Sequence, residues 1–162
     1  MPKDRAALAT GSPVRNGVPH HGLLGKAKDL RKTSLHVDAK KNADGSITIT
    51  LLNKHSAHYV PSGLPERRIV VRVESGTTVD ERELGRVLVD KDNKEVPFWD
   101  ATRVGADSRI PPGGQQTMTS VSATAGTPVT IRVLYRGLSK TVAEQLGVTE
   151  VEEQELFKKV LK

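Results

Sequence analysis

The stretch SLHVDAKKNADGSITITLLN, residues 34–53, decides the fold class because its apolar residues recur at every second position. In its second half, Ile47 and Ile49 lie on one face of an extended chain, as a half-buried β-strand requires. Asp44 and Gly45 separate the two alternating halves, and an Asp-Gly pair is a strong signal for a tight hairpin turn. The sequence therefore predicts two antiparallel strands joined at this turn.

The same alternation returns downstream, where turn signals separate the individual runs. The predicted strands are RIVVRVE (68–74), the two arms of GRVLVDKDNKEVPFWD (85–100), a segment near residues 115–121, and PVTIRVLYR (128–136). The second arm of the 85–100 hairpin is expected to be short, because Pro97 cannot donate a ladder hydrogen bond. The intervening TTVDEREL (77–84) is expected to form a loop or a helical turn. This pattern predicts a mostly β protein, an antiparallel Ig-like β-sandwich of about seven strands over residues 34–137.

The beginning of the chain has a different character. Residues 1–33 are rich in Gly, Pro, Asn and charge, and they are expected to form an irregular N-terminal arm. Leu23, Ala27 and Leu30 recur at helical spacing within it and indicate a short helix.

The final segment, residues 138–162, is predicted to be helical. It ends in TEVEEQELFKKVLK, where Thr149 and Glu152 form a capping box. The apolar stripe that follows consists of Leu156, Phe157, Val160 and Leu161. Acids crowd the start of this segment and lysines its end, which complements a helix dipole. We expect the helix to bury its stripe against the sandwich.

Composition limits the function. The 162 residues are enough for one domain with a core. The net charge is +6, but basic residues alternate with acidic ones and aromatic residues make up only 3%, so a nucleic-acid partner is not expected. The absence of cysteine excludes disulfides, thiolate zinc sites, cysteine nucleophiles and covalent attachment of c-type haem to this chain.

Targeting signals and enzyme signatures are not found. No apolar run approaches the roughly 18 residues of a membrane helix. The first residues lack the apolar core of a secretion signal, so the protein is expected either to stay in the cytoplasm or to have a leader outside this chain. The sequence contains no glycine-rich phosphate loop, nucleophile elbow or His-Glu-x-x-His motif, and we expect no enzymatic activity.

The five histidines are the candidate ligands, because neutral imidazole binds zinc, copper, nickel and haem iron. His20 and His21 stand in the exposed loop NGVPHHGLLG. His55 and His58 have opposite parity, but they stand at a strand end, where a backbone bend can bring them together. His36, inside a strand, is interpreted as a surface or packing residue. One hypothesis is a copper or zinc site made from His20, His21, His55 and His58.

Four short segments occur in a characteristic order: NGVPHHGLLGK (16–26), AHYVPSGLPERR (57–68), DSRIPPG (107–113) and VLYR (133–136). Together they resemble the cysteine-free β-sandwich that follows the haem-binding region in many multihaem c-type cytochromes. The second segment is similar to that family's Gly-His-x-x-Pro-Thr-Gly-x-Pro-x-Arg signature, with Ala57 in place of Gly and Ser62 in place of Thr. The opening Met-Pro resembles the residues that follow a Cys-x-x-Cys-His haem motif, although this chain contains no such motif.

The resemblance implies a haem-free scaffold domain of an electron-transfer system, located in the periplasm or outside the cell. Its cofactor would be haem c attached by another segment or chain. Its partners would be that haem-bearing cytochrome segment or chain and a redox partner protein. His20 or His21 would supply a distal axial ligand, while His58 would either ligate iron or fix the turn by a hydrogen bond.

The signature also places Arg67 and Arg68 at the start of a strand. Either is a candidate to pair with Asp107 or with a haem propionate, and a solvated strand start is the equal alternative. Two other functions stay open, namely a cofactor-free structural or adhesive β-sandwich and a histidine-based copper or zinc protein. Because the haem motif is missing, the chain is expected to be either the part of a cytochrome that follows its haem motifs or a haem-free relative.

Overall fold

The computed structural model describes residues 3–7, 13–19, 28–120 and 127–162. Its strands are β1 (Lys3–Ala7), β2 (Val14–Pro19), β3 (His36–Lys41), β4 (Ile47–Leu52), β5 (Arg68–Ser75), β6 (Thr78–Val89), β7 (Arg103–Asp107), β8 (Gln115–Ser120), β9 (Val129–Arg136) and β10 (Glu153–Leu161). Its helices are α1 (Lys28–Ser34) and α2 (Lys140–Gln145).

Two antiparallel sheets face each other. The smaller has the strand order β3-β4-β8 and the larger has the order β10-β9-β5-β6-β7. In an Ig fold, strands A, B and E share one sheet and strands G, F, C and C′ share the other. Here β3, β4 and β8 take the first set of places, β10, β9, β5 and β6 take the second, and β7 lies at the outer edge. The predicted antiparallel Ig-like β-sandwich is confirmed.

The core lies between the sheets and consists of the alternating residues that the sequence indicates. On β4, Ile47, Ile49 and Leu51 are fully buried. The larger sheet contributes Ile69, Val71, Val73, Ile131, Val133 and Tyr135. Burying one such side chain stabilises the fold by about 1.5–3 kcal/mol relative to exposing it. The hairpin between β3 and β4 turns at Gly45, as predicted, with a φ of 82°.

The outer face of the larger sheet carries ion pairs that connect different strands, including pairs that reach across β5. Arg136 of β9 is only 2% exposed and contacts Glu81 and Glu83 of β6 and Glu153 of β10. Helix α2 lies beside this network, since Lys140 Nζ is 2.7 Å from a carboxylate oxygen of Glu81. A buried arginine surrounded by carboxylates is tolerated because each charge has a partner.

Residues 77–84, expected to form a loop or a helical turn, instead lead into the twelve-residue strand β6. Cross-strand charge pairs hold this part of the sheet. Glu81 lies opposite Arg72 of β5, with 2.8 Å between Oε2 and Nε. Such a strand shows no apolar alternation, so the period-two pattern does not reveal it. The exposed edge strand β7 was not predicted for the same reason.

The helix predicted from Thr149 onwards is wrong, because residues 153–161 form strand β10 beside β9. A β-bulge in this strand allows the successive residues Leu156 and Phe157 both to pack against the core, as Leu161 also does. One extra residue in an alternating strand produces an apolar spacing that imitates a helical stripe. The C-terminal segment does contain a helix, but it is the short α2 that precedes this strand.

The N-terminal arm, expected to be irregular, contains the antiparallel pair β1 and β2. The two strands are held together by backbone hydrogen bonds, which do not require alternating apolar side chains. The arm lacks such alternation, so its sequence did not indicate the pairing. Of the positions that predicted a short helix, Leu23 and Ala27 lie outside the described residues, and Leu30 falls within α1. No helix in the described ranges is long and apolar enough to cross a membrane.

Candidate functional site

The loop between β4 and β5 is organised by one buried amide. Asn53 has no solvent exposure, and its Nδ2 donates to the carbonyl oxygens of His58 (2.7 Å) and Ile110 (3.1 Å). Its Oδ1 accepts a hydrogen bond from the Ser56 amide at 3.3 Å. Its backbone amide donates to the carbonyl of Gly114. The strand-ending asparagine therefore ties the His58 loop to the segment around Ile110.

A second tie lies further along the same loop. The Val60 amide donates to the carbonyl of Ile110 (2.9 Å), and the Ile110 amide donates back to Val60 (2.8 Å). The Val60-Pro61 peptide bond is cis and Pro61 is buried. The Pro-containing signature thus shapes a connection that is fixed to the neighbouring loop on both sides of His58.

The side chain of His58 is exposed at the surface of this loop. Its backbone makes three hydrogen bonds, to Asn53 Nδ2 and twice to Ser56 Oγ. Its imidazole makes no hydrogen bond with any residue that the structure describes. The bonds that hold the turn in place are those of the backbone, so the ring nitrogens are left for another partner.

A groove of about 410 Å³ opens beside the loop. Its apolar wall consists of Val60, Pro61, Ile69, Tyr135 and Leu156. Its polar wall includes Arg31, His55, His58 and Arg67. No aspartate or glutamate from the described ranges lines it. An apolar surface bordered by imidazoles and guanidiniums can receive a flat apolar ligand that also carries negative charge.

Two predicted ligands, His55 and His58, are thus brought to one groove. The other two, His20 and His21, lie outside the described residues. His36 is exposed on β3, as the surface interpretation expects. Across residues 28–120 and 127–162, together with the two N-terminal strands, no group of three or more His, Asp or Glu side chains is arranged to hold a metal ion.

The adjacent arginines of the signature have different environments. Arg68 is 2% exposed, and its guanidinium binds Glu95 at 2.6 Å and Glu83 at 3.5 Å. Arg67 is half-buried at the groove, and its Nη1 donates to the carbonyl of Ser62 at 2.9 Å. Arg68 therefore stabilises the sheet, whereas Arg67 belongs to the groove.

The predicted pairing of either arginine with Asp107 is wrong. Asp107 instead binds Arg109 at 2.7 Å and Arg86 at 3.1 Å. Hydrogen bonds from Arg109 hold the pKa of Asp107 well below its ordinary value, against the opposing effect of burial. Register explains the outcome, since Asp107 lies opposite Arg86 in the β6–β7 ladder.

A shallower concavity lies on the other side of the loop. Ala57, His58 and Ser62 line both this concavity and the first groove. Arg109 lines the concavity as well. The Arg109 guanidinium lies 4.9 Å from the centre of the Tyr59 ring, in a cation–π arrangement. His58 consequently stands on a ridge between two concave surfaces that both carry arginine.

Sequence reasoning missed Arg31. This α1 residue stacks 4.2 Å above the Tyr135 ring of β9 and donates to Gln154 of β10 at 3.1 Å. It brings a further guanidinium to the groove, and no spacing along the chain links a helix before the sandwich to its last two strands. The Tyr-Arg end of β9 was recognised as part of a motif, but its contact with Arg31 has no local signal.

Comparisons with known proteins are sparse. No protein-family model matches the chain, and no curated protein matches it. Among solved structures, it is similar to a penta-heme cytochrome c552 from Thermochromatium tepidum, with a TM-score of 0.67 over 97% of this chain and 15% sequence identity. The chain spans 46% of the length of that cytochrome. The likeness shows a fold shared with part of a multihaem cytochrome.

Proposed function

We propose that this chain is a haem-free scaffold domain of a multihaem electron-transfer system, whose groove receives a c-type haem attached to another segment or chain. The observation that carries the proposal is the imidazole of His58. It projects from a loop that the backbone holds in place, beside an apolar groove, and has no hydrogen-bond partner in the described part of the chain. In this function His58 would be the residue of this chain that ligates the haem iron.

The residues of the groove fit a haem. Its volume of about 410 Å³ lies within the usual range for ligand sites, and its apolar wall suits the porphyrin ring. Arg31 and Arg67 provide positive charge for the propionates. The chain has no cysteine, so the thioether links of a c-type haem have to come from elsewhere.

The chemistry that such a haem supplies is one-electron transfer. An iron held by two imidazoles is coordinatively saturated, and a saturated iron favours electron transfer over substrate chemistry. We therefore propose a binding role without enzymatic activity. His55 lines the same groove and is the second candidate ligand, while His20 and His21 remain candidates by resemblance alone.

The wider setting is also a proposal. The neighbour of known structure is a penta-heme cytochrome, and this chain spans less than half of its length. That supports a haem-bearing segment or chain as the direct partner and a redox protein as a further partner. The resemblance to c-type cytochromes supports a periplasmic or extracellular location.

The proposal can be tested with a haem c peptide that carries one histidine ligand and an open sixth coordination position. Titration with this chain is expected to convert its absorption spectrum from high-spin to low-spin, as a second imidazole binds. His58→Ala is expected to weaken that conversion by at least about tenfold, since an axial bond is lost. His36→Ala, which removes an exposed histidine outside the groove, is the matched control and is expected to behave like the wild type.

Two results would count against the proposal. A peptide spectrum that does not change with the wild-type chain would exclude haem ligation by this groove. Equal conversion by the wild type and His58→Ala would assign the ligand elsewhere, and the same titration with His55→Ala would then test the second imidazole of the groove.

A further inference from the structure

Arg67 is a half-buried cation without an anionic partner. Among the described residues, its side chain makes one hydrogen bond, from Nη1 to the carbonyl oxygen of Ser62, and no carboxylate there lies within ion-pair distance of it. Its neighbour Arg68 contacts two glutamates, and Arg109 across the loop contacts Asp107. The guanidinium of Arg67 thus differs from those of the arginines around it.

The position of this guanidinium is held by the loop itself. The Ser62 carbonyl accepts from it, and the Arg67 amide donates to the carbonyl of Leu64 at 3.2 Å. Gly63, which has a φ of 86°, lies directly against it, and a methyl group at that position would collide with the guanidinium. The glycine thereby leaves room for Arg67 at the wall of the groove.

An arginine has five N–H donors in a planar fork that matches a carboxylate, and Arg67 uses one of them within the described part of the chain. At the surface of the groove the other donors of this guanidinium are open to solvent, and a bound carboxylate would replace water with charge-assisted hydrogen bonds. The groove that Arg67 lines contains no acid among the described residues, so nothing there competes for it.

We propose that Arg67 selects for a carboxylate on the ligand of this groove. The inference rests on the proposed function, in which the ligand is a haem and the carboxylate is one of its propionates. Arg67 is then a specificity-determining residue that orients the porphyrin edge, while His58 binds the iron. Arg31 adds positive charge to the groove but is stacked on Tyr135 and bound to Gln154, and Arg68 is paired with Glu95, so neither is assigned this selecting role.

The test compares two forms of one porphyrin by absorption titration of the purified chain. Iron mesoporphyrin has free propionates, and its dimethyl ester has none. The wild type is expected to bind the free acid at least about tenfold more tightly than the ester, the size of a charge-assisted hydrogen-bond pair. Arg67→Met is expected to bring that ratio close to one, because the guanidinium that pairs with the carboxylate is lost.

Two further variants distinguish the planar pair of donors of Arg67 from the effect of positive charge in general. Arg67→Lys keeps the charge but loses the planar pair of donors, and an intermediate ratio is expected. Arg103→Met removes a positive charge from the exposed strand β7, away from the groove, and is expected to keep the wild-type ratio.

The outcomes distinguish this inference from the proposed function. Equal binding of acid and ester by the wild type refutes the selection by Arg67 and leaves haem ligation intact, and this comparison needs no variant to fold. A ratio that survives in Arg67→Met refutes the assignment to that residue. If neither porphyrin nor the haem peptide binds the wild type, the proposed function fails, and the inference fails with it.

Discussion

The amide of Asn53 donates to the carbonyl oxygen of His58 across 2.7 Å, which makes a fully buried side chain the anchor of an exposed imidazole. The same amide nitrogen also donates to Ile110, so one residue holds two loops together. The position of His58 therefore depends on a residue that has no access to any ligand.

The Asn53 anchor predicts a large loss of stability when its donors are removed. Asn53→Asp replaces Nδ2 by an oxygen that faces the carbonyls of His58 and Ile110, and we expect a loss of about 3 kcal/mol in the free energy of unfolding. Urea unfolding at neutral pH measures it. Asn42→Asp, at a half-exposed asparagine that donates only to two hydroxyls, is the control and is expected to lose less than about 1 kcal/mol. Equal losses would contradict the anchor.

Two arginines on the same strand are expected to differ in their contribution to stability. Among the described residues, Arg136 is the one buried cation that contacts all three glutamates, and Arg136→Met removes those contacts while Arg72, Lys140 and Arg68 still pair with the carboxylates, so we expect a loss of about 3 kcal/mol. Arg132 lies four residues earlier, has a 31% exposed side chain and pairs with Glu74. Arg132→Met is expected to lose less than about 1 kcal/mol. Chemical denaturation of both variants measures the contrast, and similar losses would show that burial does not set these energies.

The lowered pKa of Glu81 makes the free energy of unfolding depend on pH in the acidic range. Burial alone would raise this pKa, but hydrogen bonds from Lys140, Arg136 and Arg72 outweigh burial and lower it from 4.5 to about 2. A carboxylate whose pKa is lowered by folding stabilises the fold fully at pH values above its pKa in the unfolded state. For Glu81 this contribution disappears as the pH falls from 4.5 through about 2.

Glu81→Gln tests this dependence. The variant is expected to be less stable than the wild type at neutral pH, and the difference is expected to shrink as unfolding is measured at pH values falling to about 3. Groups far from Glu81 titrate alike in both proteins and cancel in the comparison. A difference that stays constant over the whole range would show that the charge of Glu81 does not contribute.

The room that Gly63 leaves for Arg67 predicts an effect beyond backbone strain. Gly63→Ala and Gly147→Ala both place a side chain at a positive φ, which costs about 1–2 kcal/mol. Only the first brings the new methyl group against the Arg67 guanidinium, because nothing lies within 4 Å at Gly147. We expect the larger loss of stability at Gly63, and with it a reduced preference for the free acid of iron mesoporphyrin. Equal losses of stability in the two variants would show that the Arg67 guanidinium moves away from the new methyl group without cost.

Local pattern predicts the part of the fold that local apolar alternation governs. Strands β3, β4, β5, β8 and β9 were all recognised, and the apolar residues at every second position of β4, β5 and β9 are buried. The first half of β6 is held by charge pairs such as Arg72–Glu81, and those depend on a partner strand rather than on spacing within the segment. The bulge in β10 made Leu156 and Phe157 look like part of a helical stripe.

The candidate site divides in a similar way. The signature between β4 and β5 marked the loop with His55 and His58, since turn-forming Pro and Gly residues at a strand end are visible in any sequence. The arginine contacts were not visible. Arg31 contacts Tyr135 from a helix that precedes the whole sandwich. Asp107 pairs with Arg86 because strand register places the two residues opposite each other.

By itself, the sequence determined the mostly β character, the β3–β4 hairpin, the absence of any thiol and the loop that carries two imidazoles. Those features depend on residue type and on spacing within a few positions. Only the tertiary structure decided that the last segment is a strand, that Asn53 anchors His58 and that Arg67, unlike Arg68 and Arg109, has no carboxylate partner among the described residues. These are long-range contacts, and their energies depend on which distant groups the closed sandwich brings within a few ångströms of one another.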